Sequence, residues 1–122
     1  SQAFHPMPLP LFAPGSRAEV PVVGRLTRKG QLPQPVSGQI DRLVVTASEV
    51  MIADYKTNHA PPRNVADVPP AYRRQLALYR GVLAKLYPAH NIRAALVWTE
   101  TLEMMELSAE TLDAELARII NG

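Results

Sequence analysis

Two neighbouring apolar segments, GQIDRLVV at 38–45 and EVMIADYK at 49–56, are rich in Val and Ile and divided only by Thr-Ala-Ser at 46–48. This pattern predicts a β-hairpin. With Ala47 and Ser48 as its loop, Thr46 pairs with Glu49, each further pair keeps the same index sum, and Asp41 falls opposite Asp54. Before the hairpin, AEVPVVGRL at 18–26 reads as a first strand, and Pro21 favours an edge or a bulge over a central place. Residues 28–38, RKGQLPQPVSG, read as a connecting loop. In residues 1–17, Pro6, Pro8, Pro10 and Pro14 exclude a regular helix and predict an extended arm or linker.

Beyond the hairpin, NHAPPRNVADVPP at 58–70 is a Pro-rich connection of the length often tied to function. From Ala71 the period changes: Tyr72, Leu76, Tyr79, Leu83 and Leu86 recur three and four apart, which predicts an amphipathic helix ending before Pro88. RAALVWTE at 93–100 is apolar enough for a strand buried on both faces, and EMMELS at 103–108 reads as another strand. Ser108 fits the N-cap of a last helix carrying Leu112, Leu116, Ile119 and Ile120. The order of three strands, helix, two strands and helix predicts an α/β fold, a mixed sheet with helical cover, over residues 18–122.

At 122 residues the chain holds one core at most. No apolar run reaches the roughly 20 residues that cross a bilayer, and the Pro-rich start lacks the character of a secretory leader, so a cytoplasmic location is expected. The lack of cysteine excludes disulfides, thiolate catalysis, Cys-ligated zinc and iron–sulfur clusters. Net charge is only +2, but Arg17, Arg25, Arg28 and Lys29 precede the hairpin and Arg63, Arg73, Arg74 and Arg80 follow it. Such cations can meet phosphates, and they read equally well as a solvated surface.

The chemistry concentrates in the hairpin. In the predicted register Asp41, Asp54 and Lys56 share a face. Facing like charges destabilise a sheet, and a divalent cation between them removes that cost. Mg²⁺ or Mn²⁺ takes oxygen ligands, which Asp41, Asp54 and the main-chain carbonyl of Tyr55 can provide, while Lys56 can orient a water or meet charge on a phosphate. Singly, Asp41 also fits a solvent-facing strand residue and Lys56 a solvated strand end. Gln75 and Tyr79 lie four apart on one helix face; Tyr79 is most simply core, and Gln75 can reach Lys56, a bound water or a phosphate. His5, His59 and His90 are scattered without metal-ligand spacing and read as surface residues.

GQIDRLVV, IADYKTN and QLALYR resemble the three signature blocks of the RecB-type nuclease domains of the PD-(D/E)xK superfamily. The resemblance implies a restriction-endonuclease-like mixed sheet with flanking helices and a Mg²⁺-dependent deoxyribonuclease, with Mn²⁺ as a substitute ion. It implies Asp41 and Asp54 as metal ligands, Lys56 as the catalytic lysine, and Gln75 and Tyr79 as supporting residues. IADYKTN followed by AYRRQLALYR is most similar to AddA-type helicase–nuclease subunits, whose repair of double-strand breaks by recombination implies DNA as substrate, an AddB-type partner, and ATP used only in helicase domains of a longer parent. In the family a further His or acidic ligand comes from a helix before the first strand. Here a Pro-rich arm stands there, so the role does not pass to His5; Glu19, in the first strand, is the acidic residue that can contribute instead. The rival expectation is a catalytically silent DNA-holding or subunit-docking module; a weaker one is a phosphodiesterase with another substrate.

Overall fold

The computed structural model describes Phe4–His5 and residues 15–122 apart from residue 59. The elements in chain order are β1 (Phe4–His5), β2 (Ser16–Leu26), β3 (Gln34–Val45), β4 (Glu49–Lys56), α1 (Pro70–Leu86), β5 (Asn91–Trp98), β6 (Glu103–Leu107) and α2 (Ala109–Asn121). The sheet order is β1-β6-β5-β4-β3-β2, with β4 and β5 parallel and every other pair antiparallel. A mixed sheet with helices α1 and α2 packed on it is therefore the observed architecture, as the apolar periods predict.

The hairpin register is the expected one. Thr46 donates its N–H to the Glu49 carbonyl at 2.8 Å, the Glu49 N–H returns to Thr46 Oγ1 at 3.0 Å, and pairs run from Val45↔Val50 to Arg42↔Ala53. A two-residue loop closed on both sides leaves no freedom to slip. β4 is flanked by strands on both edges, and Val50, Met51, Ile52 and Ala53 are all buried, which is why its sequence runs apolar without alternation.

Several boundaries differ from expectation, and β5, Asn91–Trp98, begins and ends two residues before the expected 93–100. β3 begins at Gln34, inside the segment read as a loop, because β2 supplies eleven residues of partner down to Leu26↔Gln34. Pro35 is tolerated there since β3 at that level pairs with β2 but not with β4. β2 itself starts at Ser16, two residues before the expected Ala18, and it is an edge strand, as Pro21 requires. Of the arm, Phe4–His5 pair with β6, while residues 1–3 and 6–14 lie outside the described residues.

Each helix has a local reason to start and stop. Pro70 occupies the first turn of α1, where no N–H is needed, and Tyr87 closes it by donating to the Leu83 carbonyl at 2.8 Å. Ser108 caps α2 by accepting the Thr111 N–H at 3.1 Å. Leu76, Tyr79 and Leu83 from α1 join Ile52, Leu96, Trp98 and Leu112 in the larger core. Met51, Ala53, Ala95, Val97 and Met104 form a smaller one with Val44. The helices are clamped by Glu115, a buried carboxylate 3.4 Å from Arg73 Nε and 3.1 Å from Arg118 Nη2.

Candidate active site

The β3–β4 ladder ends at Arg42↔Ala53, although β3 continues against β2 and β4 continues against β5. The sheet forks at this point. In the mouth of the fork the Asp41 carboxylate replaces a main-chain partner, its Oδ2 accepting the Tyr55 N–H at 2.8 Å. Along an extended strand a residue's N–H and C=O point to the same side, so the Tyr55 carbonyl also opens toward Asp41.

Alternation along β4 puts Asp54 and Lys56 on the side of Ile52, beneath α1, and Tyr55 on the other side beside Met51 and Ala53. Asp54 is only 8% exposed and lies within hydrogen-bonding contact of Asp41. Burial first, and the Asp41 carboxyl second, push the Asp54 pKa up from 3.8 to about 6, against the pull of Lys56 in the other direction. Asp54 thus holds a proton more readily than an ordinary carboxyl does. Lys56 Nζ sits 2.9 Å from Asp54 Oδ2 and 4.0 Å from the centroid of the Tyr72 ring, a cation–π contact. The Tyr72 hydroxyl donates to Asn58 Oδ1 at 3.2 Å, tying the first turn of α1 to the loop after β4.

Tyr72 and Asn58 are the contributors that sequence reasoning missed. The signal was present: Tyr72, Gln75 and Tyr79 stand three and four apart on one face of α1, so a ring could be placed one turn before Gln75. Gln75 Nε2 donates to the Tyr79 hydroxyl at 3.4 Å, and Tyr79 is 7% exposed within the core. The same hydroxyl lies where a side chain at Gly38 would begin, 2.1 Å from the position a Cβ would take. Gly38 is therefore the space into which the α1 tyrosine packs.

The other sequence candidates are dispersed. His90 Nε2 is 3.0 Å from the Thr46 carbonyl and its ring meets Tyr87 edge-on, a packing role at the opposite end of β4. His5 is in β1 and His59 lies outside the described residues. Glu19 is exposed on β2, level with Asp41 across the strand pair. Of the flanking cations, Arg63, Arg73 and Arg80 are engaged with Glu103, Glu115 and Asp113.

The donor set fits a hard divalent cation. Two carboxylates in contact, one of them buried with a raised pKa, gain from a shared ion, and Mg²⁺ is commonly held by one or two carboxylates with water. Among the described residues no group of three or more His, Cys, Asp or Glu side chains could hold a metal. Asp41, Asp54 and the Tyr55 carbonyl would hold the ion.

A family model described as the PD-(D/E)XK nuclease superfamily matches residues 14–121. The chain belongs to the PD-(D/E)XK nuclease superfamily. Two solved structures are similar to it at 14% identity. One is a candidate exonuclease from Eubacterium rectale, with a TM-score of 0.53 over 84% of this chain and 41% of that one. The other is the protein SSO0001, with a TM-score of 0.48 over 88% of this chain and 52% of that one. The chain thus spans about half the length of these neighbours or less. No curated protein matches it. No described helix is long and apolar enough to cross a membrane.

Proposed function

We propose that this PD-(D/E)XK chain is a Mg²⁺-dependent deoxyribonuclease domain, hydrolysing phosphodiesters at Asp41, Asp54 and Lys56. The observation that carries this reading is the fork, where two touching carboxylates and an ammonium meet at the end of β4. Asp41 is held by the Tyr55 N–H, which leaves its second oxygen for a ligand. Burial and the Asp41 carboxyl make the ionised form of Asp54 costly, and a cation beside it offsets that cost. Lewis-acid stabilisation of phosphate charge and activation of water are what a bound divalent ion supplies. Lys56, steadied by the Tyr72 ring and Asp54, orients the attacking water or meets the charge that grows on the phosphate oxygens. Gln75 keeps a free donor and a carbonyl beyond its bond to Tyr79, suited to a water or phosphate at the site edge.

The resemblance of IADYKTN and AYRRQLALYR to AddA-type subunits supports a finer reading. In it the domain serves a cytoplasmic helicase–nuclease that repairs double-strand breaks, with ATP consumed by separate motor domains and an AddB-type subunit as partner. Residues 18–122 are the nuclease core of that reading, with residues 1–17 as an arm. The rival, a DNA-holding or docking module without catalysis, is favoured by one observation, the want of a third acidic or imidazole ligand among the described residues.

The test is cleavage of end-labelled single-stranded DNA in MgCl₂ or MnCl₂. The reading expects products that vanish with EDTA and fall about 10²- to 10³-fold in Lys56→Ala. Undiminished cleavage by Lys56→Ala would remove that residue from the mechanism. No cleavage in either metal favours the silent module.

A further inference from the structure

The sheet changes face at one rung, and that rung holds Asp41. In β3, Val36 and Ile40 pack in the helix-side core and Gly38 abuts Tyr79, a two-residue period at even positions. The period then breaks: the next helix-side residues are Leu43 and Val45, while Val44 packs in the opposite core. β2 shows the matching shift, with Val20 and Val22 on the helix side but Arg17, not Ala18, paired with Leu43. Both strands therefore reverse between Ala18↔Arg42 and Val20↔Ile40, and the register across the break is unchanged. The one rung absent from the ladder is Glu19 with Asp41. Glu19 has a φ of 53°, in the left-handed region, where a residue with a Cβ is strained.

Strict alternation could not serve both neighbours. A strand that buries Ile40 beneath the helices would turn Asp41 to the far face, away from Asp54 and Lys56. The reversal lets Ile40 stay at 1% exposure while Asp41 reaches Asp54 and the Tyr55 N–H.

We infer that Glu19 is a positioning residue, whose left-handed backbone reverses the β2–β3 rung and aims the Asp41 carboxylate into the metal site. The inference rests on Asp41 working in the proposed nuclease centre, and it assigns the effect to the backbone at Glu19 and not to its exposed carboxylate. Residues that accept the left-handed region should then replace glutamate, and those that resist it should not.

The experiment compares Glu19→Gly, Glu19→Asn and Glu19→Val by two readouts. The first, in metal-free protein, is the chemical shift and exchange protection of the Tyr55 amide, which reports its bond to Asp41. The second is Mn²⁺ affinity by calorimetry. Glu19→Gly and Glu19→Asn are expected to keep the wild-type amide signal and to bind Mn²⁺ within about twofold of wild type. Glu19→Val is expected to lose the protection and bind about tenfold more weakly. If that variant does not fold, Glu19→Ala carries the same expectation at about threefold. A wild-type amide signal in the valine and alanine variants overturns the inference. Equal loss of Mn²⁺ binding in the glycine and asparagine variants also overturns it, because the carboxylate would then be the acting group. The amide readout needs no metal, so failure of the nuclease reading is seen separately, as absence of Mn²⁺ binding by wild-type protein.

Discussion

Asp54→Asn is expected to make the metal-free protein more stable and the metal site useless. Burial and the Asp41 carboxyl raise the folded pKa of Asp54 from 3.8 to about 6, so at neutral pH the fold bears the cost of ionising a carboxylate it prefers neutral. The difference corresponds to on the order of 3 kcal/mol. Since the folded pKa lies above the unfolded one, the stabilisation given by neutral Asp54 is complete below pH 3.8 and is lost as pH rises through about 6. Asparagine keeps the neutral form at every pH. Urea unfolding in EDTA at pH 7.5 should therefore show Asp54→Asn more stable by up to about 3 kcal/mol, or about 10 °C in Tm for a chain of this size. The gap should close toward pH 4. A variant no more stable than wild type at pH 7.5, or a gap that persists undiminished in acid, would mean that ionised Asp54 carries no such cost. A gap that survives saturating Mg²⁺ would mean that the ion does not stabilise the wild-type pair.

Other parts of the structure yield sharper local expectations. Gly38→Ala should destabilise by about 1–3 kcal/mol, since its methyl must displace the Tyr79 hydroxyl; equilibrium unfolding checks this, with partial relief expected in combination with Tyr79→Phe. Tyr72→Phe should keep the ring beneath Lys56 and leave cleavage within a few-fold of wild type, whereas Tyr72→Leu removes about 0.5–2 kcal/mol of cation–π contact and should lower kcat in a steady-state assay. Glu115→Gln should cost about 3 kcal/mol by leaving Arg73 and Arg118 without their shared carboxylate. Burial opposes ionisation of Glu115, but Arg118 and Arg73 outweigh it and hold its pKa below the ordinary value. Its contribution is thus present at neutral pH and lost as pH falls through the folded pKa, which a urea series across acid pH measures.

The hairpin was legible because the chain leaves only two residues for its loop, so the register of Arg42 with Ala53, and hence the approach of Asp41 to Asp54, follows from counting. The helix was legible from its period, and the edge position of β2 from Pro21. What escaped was set by pairing between distant segments. Pro33 and Pro35 argue for a loop, yet the length of β2 draws residues 34–38 into the sheet. The reversal at Glu19 has no compositional mark, since glutamate is an ordinary residue in an extraordinary conformation. Tyr72 reads as one more member of an apolar stripe until the fork brings Lys56 over its ring. Local pattern thus named the candidate groups, while the devices that orient them are tertiary.

In the proposed nuclease centre Asp41 and Asp54 jointly hold a divalent ion at the mouth of the fork. Calorimetric titration of Mn²⁺ into wild type, Asp41→Ala and Asp54→Asn at pH 7.5 tests it directly. Wild type is expected to bind, with binding weakened at least tenfold in each variant and both variants still folded. Equal binding by all three, or none by wild type, would contradict it.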